Sequence, residues 1–221
     1  MFFIRLLFGL IFSLFIPGVA KALYWSLVNI FNHKETFWPV ITGFVFGAVL
    51  WKIFLKRLRW FNTFEHELTH AIVALMFFRK IKEFEVTQNS GGHIVHVGTF
   101  GGTFGSEMIG LAPYFLPTFS LILVLVLPLI SRELYSWMVP TVGFTLAYHT
   151  FSTIDETDEI QPDLNSRGLL YSAIVIISMT LALHGLLFVL MMHGYSGFGI
   201  WGSMVYDTTI DILGWLFAFI S

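Results

Sequence analysis

Long stretches of this chain carry no charge at all, and the polar residues gather in the short intervals between them. Residues 6–20 form the first apolar run, interrupted at Pro17-Gly18 and resumed over 22–30. Two readings fit: a membrane helix kinked at Pro17, or a cleaved leader ending at the small-x-small triplet Ala20-Lys21-Ala22. Residues 37–51 are a second charge-free run, closed by Lys52, Lys56, Arg57 and Arg59. Residues 64–78 make a third apolar segment, entered through Glu65 and Glu67 and short for a bilayer that needs roughly 20 helical residues. The period then changes. Residues 84–88 alternate, 89–92 supply turn chemistry, and 93–97 alternate again, which predicts a β-hairpin. Residues 108–131 hold no charge but three prolines, the mark of a broken or kinked helix. Spans over 134–154, 168–191 and 200–220 complete the pattern, with an acidic stretch at 155–164 and a glycine-rich turn at 193–199.

The pattern predicts an α-helical polytopic membrane protein. It has about six transmembrane helices and a small β-hairpin after the third apolar segment. One membrane-embedded domain covers 1–221, with a core at 61–192, one or more N-terminal helices in 1–60 and a C-terminal segment at 193–221. Composition agrees. Of 221 residues, 56% are hydrophobic and 12% charged, where a soluble domain carries about 25% charged residues. The lipid bilayer is therefore an expected partner. A net charge of -2 gives no footing for nucleic acid. There is no cysteine, which excludes disulfides, thiolate zinc sites and cysteine nucleophiles.

Against this apolar background, Glu65-His66-Glu67-Leu68-Thr69-His70 stands out. Ionisable side chains entering an apolar helix are costly and read as functional by default. On a helix, His66 and His70 project from one face, one turn apart. Two imidazoles at that spacing can hold one Zn²⁺ and leave room for a further ligand and a water. Glu67 lies beside them and can take a proton from that water. A catalytic zinc needs a third protein ligand. Asp163, Asp155, Asp158 and His149 are candidates, as are His93 and His96. Asp163 follows Pro162 and can equally be a simple helix cap.

These residues resemble the site-2 protease group of intramembrane zinc metalloproteases, in particular its small M50B-like branch. The zinc motif Glu65 to Ala71 looks like the family's. The hairpin is similar to the β element that follows the motif helix in those enzymes. Leu111-Ala112-Pro113-Tyr114-Phe115-Leu116-Pro117 looks like the stretch that opens the next core helix. Ile160-Gln161-Pro162-Asp163-Leu164 stands where the family places its Asp ligand, without the Asp-Gly pair and the Asn-x-x-Pro lead-in of better-known members. The resemblance implies Zn²⁺ held by His66, His70 and Asp163, and Glu67 as catalytic base. It implies a membrane-protein substrate paired to the hairpin as an added strand, an oxyanion partner such as His149 or Asn165, and a multi-pass protein of a bacterial inner or cell membrane. The contrasting expectation is a metal-binding membrane protein without proteolytic activity that acts by binding partners. A transporter is the weakest reading, because no paired midplane acids are apparent.

Overall fold

The computed structural model describes residues 2–87, 91–158 and 162–220. Helix α1 (Phe2–Asn32) runs unbroken through Pro17, so the two apolar runs at the amino end form one helix. Helix α2 (Lys34–Ile53) follows, then α3 (Arg59–Met76), which carries the two histidines. Strands β1 (Lys80–Val86) and β2 (Gly92–Val97) pair antiparallel, Phe84 opposite Ile94 and Val86 opposite Gly92. The ladder shifts between Ile81 and Glu83, which bulges β1 at Lys82. The strand begins at Lys80 rather than Phe84; the consecutive polar residues Lys82-Glu83 break the alternation, and the bulge falls there. The hairpin end is closed by Thr87, whose amide and hydroxyl both donate to the Gly91 carbonyl. The expected Asn89-Ser90 turn lies outside the described residues.

Helices α4 (Gly102–Phe115) and α5 (Thr118–Val126) form a pair bent by 86°. Pro117, which has no amide hydrogen, falls at the break. Helix α6 (Arg132–Asp158) runs on through the acidic residues to Asp158, so much of the expected polar loop is helical. A single turn, α7 (Pro162–Asn165), precedes α8 (Leu169–His193) and α9 (Gly197–Ile220). Asp163 therefore sits inside α7, and Gly168 occupies the cap of α8. The capping role considered for Asp163 is not what its position serves.

Among the described residues, the segments Phe3–Asn32, Lys34–Ile53 and Leu169–Phe219 are long and apolar enough to cross a membrane. The bent α4–α5 pair is a fourth if it counts as one span. The sequence reading counted about six. The difference lies in α3, α6 and the α8–α9 pair. Charged residues stand inside or at the ends of the first two, and the last two run together as one apolar segment.

Packing places apolar side chains both inside and outside. Leu111, Tyr114, Phe115 and Val175 belong to a buried cluster between α3, α4 and α8. Leu7, Leu14, Phe46, Trp137 and Leu170 are exposed on the outside, as suits a surface facing lipid rather than water. Helices α2 and α6 meet across glycine. A Cβ added at Gly43 would overlap the Pro140 carbonyl, and one at Gly143 would overlap the Val40 carbonyl. Such small-residue contacts let helix backbones approach closely in lipid. Hydroxyls stitch the elements around the motif helix. Thr69 meets Thr118 at 2.7 Å, and Ser120 meets Thr145 at 2.9 Å.

Candidate metal centre

His66 and Glu67 on α3 line a cavity of about 690 Å³, with His70 buried one turn further along the helix. Asn62, Glu156, Asp163 and the glycines at the start of β2 also line it. His66 Nε2 and His70 Nε2 lie 3.2 Å apart. Asp163 Oδ2 is 3.4 Å from the His70 nitrogen and 3.8 Å from that of His66. Ligand atoms of these three residues fall within 4.8 Å of one another, the only such group among the described residues.

Hydrogen bonds on the far side of each ring decide what faces inward. His70 Nδ1 lies 2.7 Å from the Ile109 carbonyl oxygen. A carbonyl only accepts, so Nδ1 carries the proton and Nε2 presents a lone pair. His66 Nδ1 lies 2.9 Å from Glu156 Oε2, which sets the same tautomer. Ser152 donates to the other oxygen of Glu156 at 3.1 Å, steadying the carboxylate. Two imidazole lone pairs thus point at each other with a carboxylate oxygen beside them. Three converging acceptors repel unless a cation lies between them. A tetrahedral zinc with bonds of about 2.0–2.2 Å has ligand-to-ligand edges of about 3.3–3.6 Å. The observed separations are close to those edges, so the donor set fits Zn²⁺ in both chemistry and spacing.

Asp163 is held from behind by Arg167, whose Nη1 donates to its main-chain oxygen at 2.7 Å and lies 3.3 Å from Oδ1. Glu67 is buried, and β2 lies against it. A Cβ on Gly92 would come within 2.8 Å of Glu67 Cγ and 3.1 Å of Oε1.

The remaining candidates lie elsewhere. Asp155 pairs with Lys56 at 2.9 Å. His149 is buried beside His184, their ring centroids 6.5 Å apart. His93 faces Glu83 and Glu85, each at 3.7 Å. His96 pairs with Ile81 in the hairpin ladder. Asn165 is exposed. The Asp158 side chain lies outside the described residues.

Sequence reasoning missed Glu156 as the partner of His66. Its signal was a carboxylate one turn after Ser152, hidden by reading that stretch as loop. It also passed over Tyr114. That ring stands edge-on to His66 at 5.6 Å, and its buried hydroxyl has no hydrogen-bond partner among the described residues.

Comparison with known proteins adds one finding. No curated protein and no solved structure matches the chain. A family model described as Peptidase M50B-like matches residues 40–156. That segment takes in most of α2, the motif helix, the hairpin, the bent pair and most of α6, and ends on Glu156. Covering more than half of the chain, the match places this protein in the M50B-like peptidase family.

Proposed function

We propose that the protein is an intramembrane zinc metalloprotease that hydrolyses peptide bonds of membrane-protein substrates. One observation carries the reading: His66, His70 and Asp163 turn three acceptors toward one point, and the buried Glu67 shares the helix turn of the two histidines. In this reading His66, His70 and Asp163 hold Zn²⁺. Zinc, when bound, supplies Lewis-acid chemistry, lowering the pKa of a water to about 7 and polarising the scissile carbonyl. Glu67 accepts the proton from that water and returns it to the departing amine. Glu156 and the Ile109 carbonyl keep the ring tautomers in place. The buried Tyr114 hydroxyl offers a donor for the developing oxyanion, a role for which His149 and Asn165 are poorly placed.

A transmembrane substrate hides its carbonyls in its own helical hydrogen bonds, so it must unwind before attack. The two-stranded sheet has free outer edges, and an added strand can recover there the hydrogen bonds it gave up. The chain passes through the bilayer several times, and the six-span count belongs to this reading. The test is co-expression with a single-span substrate. Glu67→Gln should retain zinc and lose roughly 10²–10⁴-fold in cleavage rate, the usual worth of a general base. Equal processing by both forms would reject the assignment.

A further inference from the structure

Residues 1–39 lie outside the family match, yet the first helix reaches the candidate metal centre. Arg5 Nε donates to Glu107 Oε1 at 2.9 Å. Glu107 is 3% exposed, and its second oxygen faces Arg167 Nε at 3.2 Å. Arg167 in turn holds Asp163 through both its main chain and Oδ1. Arg5 Nη1 also donates to the main-chain oxygens of Ser166 and Arg167, at 3.1 and 3.3 Å. Gly110 makes room for the arrangement, because a Cβ there would overlap the Arg167 guanidinium. Charges therefore alternate from α1 to the site: Arg5, Glu107, Arg167, Asp163.

The division of the Asp163 carboxylate follows from this chain. Oδ1 faces Arg167, and Oδ2 is left to face His70. The one-turn helix that carries Asp163 is too short to be stable by itself. Its position must come from what grips it, and Arg5 and Arg167 both do so. The network is partly exposed at Arg5, Arg167 and Asp163 and closed at its centre by the buried Glu107, so removing either arginine leaves that carboxylate short of a partner.

We propose that Arg5 is a positioning residue for the metal centre, acting through Glu107 and Arg167 so that the first helix holds the Asp163 turn. The inference rests on the reading that His66, His70 and Asp163 bind zinc.

The test uses the full chain purified in detergent. Zinc affinity is measured by competition with a chelator, and ligand geometry by the absorption spectrum of the cobalt-substituted protein. Arg5→Ala should weaken zinc by about tenfold, the low end for groups that orient ligands, and shift the cobalt spectrum. Arg5→Lys keeps the charge and should recover part of both. Gly110→Ala, which displaces Arg167 without removing a charge, should resemble Arg5→Ala. Lys21→Ala, on the same helix but paired with Asp211, should match wild type. Wild-type affinity and spectrum in Arg5→Ala, beside loss of metal in His66→Ala, overturns the inference alone. A wild type that binds no zinc overturns the metal reading and this inference with it. Equal falls in melting temperature for Arg5→Ala and Arg5→Lys, with metal binding unchanged in both, would reduce Arg5 to a folding role and also overturn it. So would an intact mass showing that purified protein lacks residues 1–22.

Discussion

Asp155 and Asp163 belong to the same acidic stretch but have different neighbours. Asp155 faces Lys56 at the rim of the cavity, a partly exposed pair worth about 0–1 kcal/mol. Asp163 faces two imidazoles. Asp163→Asn is therefore expected to strip most of the zinc from purified protein, and Asp155→Asn to keep it, as read by metal analysis. The histidine pair was legible from sequence because its geometry is local: four residues on a helix make one turn. The third acceptor, Asp163, came from the family resemblance and not from spacing, because several carboxylates share the stretch and the fold brings both Glu156 and Asp163 back to α3. Glu156 was less legible still. It meets His66 across 90 residues of chain, and its orientation depends on α6 continuing past the apolar run.

Among the elements, α2 and α6 depend most on backbone contact. Gly43→Ala and Gly143→Ala each push a methyl into a carbonyl of the opposing helix, and should destabilise by about 1–3 kcal/mol, the usual cost of overpacking. Gly202, with nothing near an added Cβ, provides the silent comparison. Thermal unfolding in detergent measures all three. The spacing of Gly43 and Gly47 is readable in the sequence, but the helix they face is not. The hairpin was legible from its alternation and glycines, whereas its start was obscured by the consecutive polar residues Lys82-Glu83. The apolar run at residues 108–131 foretold a break through its prolines, and the structure puts that break at Pro117 with a bend of 86°.

For the whole molecule, folding and metal binding should be linked. The candidate ligands come from α3 and α7, and the groups that hold them come from α1, α4 and α6, so a zinc held as proposed would bind the folded chain far better than the unfolded one. Removing it with a chelator should lower the melting temperature, and added Zn²⁺ should restore it. The shift corresponds to about 2.7 kcal/mol when free metal is 100 times its dissociation constant. An unchanged melting curve would argue against zinc at this site. The membrane class was legible from composition alone. The span count was not, because α3 and α6 combine apolar middles with charged residues that serve the site.

Gly92 seats the hairpin on the side chain of Glu67, and this makes the sheet a ruler. Under the proposed function, a substrate strand added to it would be measured from Glu67, the proposed base. Sliding by one residue would turn every side chain to the wrong face, so a strand with one preferred face moves in steps of two residues, about 6.6–6.8 Å. Cleavage of one substrate should yield product ends separated by two residues, with the bond between them spared, when the fragments are weighed by mass spectrometry. Consecutive bonds cut in equal yield would mean that the hairpin sets no register.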